Sequence, residues 1–486
     1  MKKVIGYRIK VNGKLTANGQ WLIAVLTLFG SGKVGYGSAL SKQAWHCIHL
    51  ALLFALHFSL FTRPVLAQSV SLKDCISLGL ENNYQMHLVR NEEEIARNNA
   101  TWANAGALPQ VDASAAYRPS LTNFDRSTSR TTDETTTQYG AFDNSLSAGV
   151  TLNWTLFDGF KIQTTYKQLL LLEKQSETST RIAVEDLVAD IASEYYNCVQ
   201  QIIRRNNYRY TMELSREQLR IAELNYRTGR FSGLDYQLAR TDFLADSSSC
   251  VRQEEAVTKS HIRLNQLMAS KDLRRPISIA DTAITVRTDL LLPPLWERTL
   301  AANSSLLYAR QNTQMAELDY KKVLSRNYPY LKLSSQYGYD ASFYGKNAIR
   351  DRSSLALSGG LTVGINIFDG NRKRERRNAQ LAIRNQQLRL DQMQLDLQAD
   401  LTTCYQTYTT NISLLALQQE NLSIAQRNYQ SALQRYKLGD LSGLDLRQVQ
   451  KSLIDAEERV LQAEYDAKMC EITLLLISGD IADYMK

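Results

Sequence analysis

The stretch FKIQTTYKQLLLLEKQSETSTRIAVEDLVADIASEYYNCVQQIIRRNNYRYTMELSREQLRIAELNYRT, residues 160–228, contains neither glycine nor proline, and the same is true of residues 371–438. The two run to 69 and 68 residues, against about 11 to 12 for an ordinary globular helix. At about 1.5 Å of rise per residue, each predicts a rod of roughly 100 Å, too long to fold back inside a compact domain. Both rods end in nearly the same words, YRTGRFSGLD at Tyr226 to Asp235 and YKLGDLSGLD at Tyr436 to Asp445. Gly229 and Gly439 permit the backbone angles that a tight helix-to-helix turn needs. Because each turn is short, the following helix must run back antiparallel, over about Leu234–Asp272 and Leu444–Ser478.

Working inward along the rods, apolar residues mark a seam. In the second, Leu401, Tyr408, Leu415, Leu422, Tyr429 and Tyr436 recur every seven residues; in the first, Val184, Val188, Ile191, Tyr195, Cys198 and Ile202 step by four and three. Both are coiled-coil patterns. Glutamate, arginine and glutamine elsewhere on the rods exclude a membrane-spanning helix.

Outward from the start of each rod the period changes to two. Leu146, Ala148, Val150, Leu152, Trp154 and Leu156 alternate with small polar residues, as do Leu355, Leu357, Gly359, Leu361, Val363, Ile365 and Ile367. Such alternation gives a strand one apolar and one small polar face. Weaker partner strands are Val111–Tyr117 and Leu331–Tyr339, with loops at Arg118–Asp143 and Asp340–Arg352. Strands of 10 to 12 residues with tyrosine and tryptophan near their ends match membrane-spanning β strands of about 9 to 11 residues with aromatic girdles. Each pair is preceded by a shorter helix, about Leu72–Ala105 and Leu295–Asn327, halted by Pro109 and Pro329. The lengths of each shorter helix and its return helix together nearly equal the rod's, so two half-helices end to end would line one long one.

The chain therefore reads as two copies of one unit, residues 68–281 and 282–486. Phe157-Asp158-Gly159 recurs as Phe368-Asp369-Gly370, where Asp158 and Asp369 are suited to cap the rod that follows. The segment Pro276–Pro294 between the copies fits a short structure at mid-height.

Residues 1–67 stand apart. They carry eight lysines and arginines and no acidic residue, while the whole chain has a formal net charge of +8. The remainder is close to neutral, which removes the case for nucleic acid as a partner. Ile48–Phe61 is an apolar run too short for the roughly 20 residues of a membrane span. With Val65-Leu66-Ala67 after it, the run fits an export signal cleaved after Ala67. Cysteines 75, 198, 250, 404 and 470 are scattered with no CxxC, which argues against a disulfide framework. With His87 and His261 the only histidines after residue 67, there is little material for a metal site or a catalytic triad.

Four candidate spanning strands cannot close a barrel alone, since backbone groups in lipid must all be paired and the smallest bacterial barrels have about eight strands. Several chains must pool them. In its two-copy layout, its prolines before the first strands, its Leu-Phe-Asp-Gly and Ile-Phe-Asp-Gly strand ends, its rods and its Tyr-x-x-Gly-(x)5-Asp turns, the chain resembles the TolC-type outer membrane efflux proteins. The resemblance implies an α+β membrane protein: a homotrimer with a 12-stranded β-barrel, four strands per chain, continued by a long antiparallel coiled-coil helical barrel. It implies a passive exit duct for a tripartite efflux or type I secretion system, set in outer membrane lipid. Its partners would be a periplasmic adaptor and an inner-membrane pump, and it would have no catalytic residue, cofactor or metal.

By the same resemblance, a contact between Tyr436 and Asp235 would hold the periplasmic end closed, and Asp445 would face the pore in a ring of like charges. Tyr226 joins them as a tip residue. The alternative for Asp235 and Asp445 is stabilisation of a helix start near the positive end of its dipole. The turns containing Gly229, Ser232, Gly233, Gly439, Ser442 and Gly443 would carry the adaptor-docking surface. Two positions depart from the family pattern: Leu441 stands where an arginine is expected, and Gln448 where a second ring aspartate would be. The cluster Arg372, Lys373, Arg374, Arg376 and Arg377 reads as a solvated helix start at the membrane boundary. A competing class is a coiled-coil envelope spacer or adhesin without a conduit, for which lipid-spanning strands would have no use.

Overall fold

The computed structural model describes residues 69–485, apart from 129, 130, 132, 134, 231 and 346–350; the expected export signal of residues 1–67 lies outside them. The described chain runs through helix, helix, strand, strand, long helix and return helix, and then through the same order of element types again.

Each glycine-free stretch is one helix. With α1 at Leu72–Asn82, α2 at Tyr84–Asn99, β1 at Gln110–Thr128 and β2 at Thr135–Asp158, the first long helix is α3, Lys161–Arg227, and its return helix is α4, Gly233–Leu267. The second half comprises α5 at Leu292–Ala302, α6 at Ser304–Leu324, β3 at Tyr330–Phe343, β4 at Asp351–Gly364, α7 at Arg372–Leu438 and α8 at Gly443–Ser478. The long helices are 67 residues each. α3 is lined by α1 and α2 over one part and by α4 over the other, while α6 and α8 line α7. The heptad seam is buried at Leu401, Tyr408, Tyr429 and Tyr436. On α3, Val188, Ile191, Tyr195 and Cys198 are buried with Ile76, Leu264 and Ile472 in the largest apolar cluster. No helix among the described residues is long and apolar enough to cross a membrane.

The expected single helices Leu72–Ala105 and Leu295–Asn327 are each broken in two. The breaks fall at Asn83 and Asn303, whose φ/ψ values of −64°/127° and −61°/119° are extended. Each asparagine serves both sides of its break. The Asn83 side chain accepts from the Gln85 amide at 2.8 Å and donates to the Leu267 carbonyl at the end of α4 at 2.9 Å. Asn303 accepts from the Leu306 amide at 2.9 Å and donates to the Ile477 carbonyl of α8 at 3.0 Å. An N-cap and a splice to the return helix are thus one side chain, and the half-helices meet where the length argument places them. α2 ends ten residues before Pro109, where Asn104 Nδ2 takes the Asn99 carbonyl at 3.0 Å.

The strands form one antiparallel sheet in the order β1-β2-β3-β4. Its first hairpin is longer than expected: residues 118–143, expected as a loop, pair over most of their length, from Arg118↔Ser145 to Thr128↔Thr135. Threonine is β-branched and suits a strand, so polarity alone misleads there. β4 stops at Gly364, short of Ile367. Rows across the sheet share a face: Ala113, Val150, Tyr337 and Leu357 lie side by side, as do Ala115, Ala148, Tyr339 and Leu355. That face is apolar and uncovered, with Leu357, Leu355 and Tyr337 exposed. The opposite face carries Asp112, Thr151, Gln336 and Ser358.

Candidate functional site

Both helical hairpins end in the same hydrogen-bonded turn. Gly229 and Gly439 have φ of +74° and +87°, a region that costs glycine nothing. The Arg230 amide donates to the Asn225 carbonyl at 2.8 Å, and the Gly229 amide to Tyr226 at 3.0 Å; Asp440 to Arg435 and Gly439 to Tyr436 repeat the pattern at 2.9 and 3.1 Å. These pairs satisfy carbonyls left over by the long helices. The return helices start on serine caps: Ser232 Oγ accepts from the Asp235 amide at 3.2 Å, and Ser442 Oγ from the Asp445 amide at 3.1 Å. Ser232 and Ser442 hydroxyls in turn donate to Asp235 and Asp445 carboxylates at 2.7 Å. Both aspartates therefore stabilise helix starts, the alternative weighed for them above.

The two tip tyrosines differ. Tyr226 is 48% exposed and stacks on Tyr236 of its own return helix, ring centroids 5.6 Å apart. Tyr436 is 4% exposed and packs with Tyr429, Leu446 and Leu453. Burial raises its phenol above the ordinary range, and the nearby Asp235 charge adds to this. Tyr436 and Asp235 line one cleft between the hairpins, together with Gln218, Asp242, Leu441 and Arg447. The structure thus brings the expected pair to the same place, while Asp445 is exposed in the first turn of α8.

From the lining of this cleft inward, polar contacts cross between the hairpins. Arg447 of α8 grips Asp246 of α4 with two nitrogens, at 2.7 and 2.8 Å, and its Nε lies 3.5 Å from Asp242. Ser215 of α3 also donates to Asp246. Gln450 of α8 donates to Ser215 Oγ at 3.3 Å and accepts from Gln218 at 3.2 Å. Asp246, Ser215, Gln218 and Gln450 are all buried. The guanidinium is raised above its usual range, chiefly by its bonds to Asp246. Burial pushes Asp242 up, Arg447 pulls it down and Asp246 pushes it up again. Farther along, Arg204 of α3 pairs with Glu458 of α8. Sequence reasoning passed over these residues because the partners across the hairpins are about 200 or more positions apart; the only signal was polar residues standing on an otherwise apolar seam.

The two departures from the family pattern have separate outcomes. Leu441 packs against the apolar cluster around Tyr436, and in the cleft it is Arg447 that carries charge to the other hairpin. Gln448 is exposed. At the opposite end of α7, Arg326 pairs with Glu375 at 2.5 Å, Arg372 donates to the Asn366 carbonyl and Arg376 Nε donates to the Tyr320 hydroxyl at 3.3 Å. Asp158 and Asp369 are not N-caps: those positions are Phe160, in a left-handed conformation, and Asn371. Asp158 Oδ1 still accepts from the Ile162 amide at 3.0 Å, and Asp369 Oδ1 from Asn371 at 2.9 Å.

A sheet with an uncovered apolar face, drawn out into two 67-residue helices lined by shorter ones, is a fold also found in solved outer membrane channels. Solved structures share the fold. The Campylobacter jejuni CmeC outer membrane channel superposes with a TM-score of 0.70 at 16% identity, over 84% of this chain and 85% of that one. A membrane protein from Pseudomonas aeruginosa gives 0.69 at 17%, over 84% and 93%, and the outer membrane protein VceC from Vibrio cholerae gives 0.66 at 15%, over 84% and 96%. Among curated proteins, none matches in sequence. The signature of the outer membrane efflux protein family matches residues 75–270 and 295–480, and the chain belongs to that family. It is an outer membrane channel and not an enzyme.

Proposed function

We propose that three copies of this chain pool their strands into a 12-stranded barrel continued by a helical tunnel into the periplasm, serving as the passive exit duct of a tripartite efflux or type I secretion system. The observation that carries this reading is the four-stranded sheet, whose edge strands β1 and β4 each have one partner and whose apolar face is uncovered. Such a sheet satisfies lipid only when copies complete the cylinder. In this reading residues 1–67 are an export signal cleaved after Ala67, and residues 68–281 and 282–486 are duplicated units. The turns at Gly229, Ser232 and Gly233 and at Gly439, Ser442 and Gly443 dock a periplasmic adaptor, which joins the duct to an inner-membrane pump. Tyr436 and Asp235, with Tyr226 and Asp445 beside them, form the gated end. The test is twofold. The mass of the detergent-solubilised assembly should be three chains, and planar bilayers should show single-channel steps; a monomer, or bilayers silent at every voltage, would sink the reading.

A further inference from the structure

The five described cysteines are all free thiols. Two of them face each other. Cys404 on α7 and Cys470 on α8 are 66 positions apart, yet Cys404 Sγ donates to the Cys470 carbonyl at 3.6 Å. Cys470 Sγ accepts from Asn411 Nδ2 at 3.8 Å. Both cysteines border the apolar cluster of Leu401, Tyr408 and Leu474, so they occupy one level of the α7/α8 hairpin. The hairpin turn fixes that level, because two antiparallel helices joined at residues 439–442 have a single register. Both side chains are half-buried rather than sealed.

We propose that Cys404 and Cys470 form an intramolecular disulfide stapling α7 to α8, made by exchange with the disulfide of a thiol–disulfide oxidoreductase. The oxidant rests on the periplasmic location proposed above, since thiols are kept reduced in the cytosol; the facing geometry does not. Interaction within the pair lowers Cys470 and raises Cys404, and Asn411 lowers Cys470 further against the effect of burial, so the negative charge of the pair rests on the Cys470 sulfur. Cys470 is therefore the attacking group. Its sulfur bonds to one sulfur of the oxidant's disulfide, whose S–S bond breaks. Cys404, deprotonated, then attacks the Cys470 sulfur and expels the oxidant's remaining thiolate. Two electrons pass to the oxidant, and the protons given up by the two cysteines end on its two sulfurs. Cys75, Cys198 and Cys250 are buried, out of reach of an oxidant. The staple lies within one hairpin and does not touch the Arg447–Asp246 contact between hairpins. It stiffens α7 and α8 as one body without tying that body to α3 and α4.

The test uses the full chain, reduced, in detergent, incubated with oxidised glutathione near neutral pH, alkylated with iodoacetamide and digested with trypsin. Mass spectrometry should find the peptide Leu390–Arg427 joined to Met469–Lys486 as the main disulfide species. Cys404→Ser should leave Cys470 carrying glutathione, and Cys470→Ser should leave Cys404 alkylated. Wild-type protein with both thiols alkylated, or with cross-links spread evenly over all five cysteines, overturns the proposal, and this arm needs no variant to fold. A second arm alkylates cells at harvest and recovers the chain from the envelope. The linked pair there supports the proposal in the cell, and free thiols in envelope-borne chain overturn it. A chain missing from the envelope defeats the location instead, and the glutathione arm then decides the staple.

Discussion

The two tip hairpins have the same turn, the same pair of hydrogen bonds and a serine hydroxyl at the cap, yet they are built differently behind it. Behind Gly439, Ala425, Tyr429, Ala432 and Tyr436 close on Leu446, Leu453 and Ala456 in an apolar seam. Behind Gly229, the corresponding stretch carries Ser215, Gln218, Asp242 and Asp246, and these reach across to Arg447 and Gln450 of the other hairpin. One hairpin holds itself together, and the other spends its polar groups on its neighbour. Apolar seams are indifferent to what lies outside them, whereas bonds between charged and amide groups can be exchanged for water or for another partner's groups. In the gated duct proposed above, the boundary between hairpins is the place where the helical end would part.

The comparison can be broken most sharply at the tyrosines. Tyr436→Ala should cost about 3 to 5 kcal/mol, the range for deleting a large buried ring, while Tyr226→Ala should cost about 1 kcal/mol, the worth of a stacked aromatic pair. Amide hydrogen exchange over residues 425–456 and 215–246 reads both, and equal losses would refute the asymmetry. Next in size, Arg447→Ala leaves the buried Asp246 carboxylate without its guanidinium, at about 3 kcal/mol. Exchange should rise on the facing surfaces of both hairpins while the Tyr429–Leu453 seam stays protected; opening of the seam as well would mean that the hairpins are not separate units. The serine caps should show no asymmetry: Ser232→Ala and Ser442→Ala each should cost about 1 kcal/mol, read as fraying of the first turn of α4 and α8. The smallest effect concerns pH. Asp242 is raised, so the closed end binds its proton more readily than the opened one. Its contribution is fully present below the unfolded value and is lost as pH rises through the raised one. Closing at the tip should therefore strengthen modestly as pH falls through the carboxylate range, and Asp242→Asn should remove that component from the exchange profile.

The long helices were legible nearly to the residue, expected at 160–228 and 371–438 and found at Lys161–Arg227 and Arg372–Leu438, because an uninterrupted run without glycine or proline has few other ways to fold. The seams and the central parts of the strands were legible by their periods. The breaks at Asn83 and Asn303 were not, since apolar spacing continues across them and the deciding bonds go to Leu267 and Ile477, about 180 residues downstream. The outer part of the β1–β2 hairpin was hidden by its serines and threonines. At the site, Tyr436 and Asp235 were found through resemblance, whereas Arg447, Asp246 and Gln450 needed the fold to bring them together. Cys404 and Cys470 looked solitary for the same reason.

The open edges of the sheet bear on how the chain reaches its membrane. A strand with an unpaired row of amides and carbonyls is sticky in water and intolerable in hydrocarbon, so neither a lone copy in solution nor a lone copy in the bilayer is a resting state. In the pooled barrel proposed above, insertion and the meeting of copies would be one event, at a rate set by how many chains arrive together, and an escort that shields β1 and β4 until that moment would guard the chain against clumping on the way.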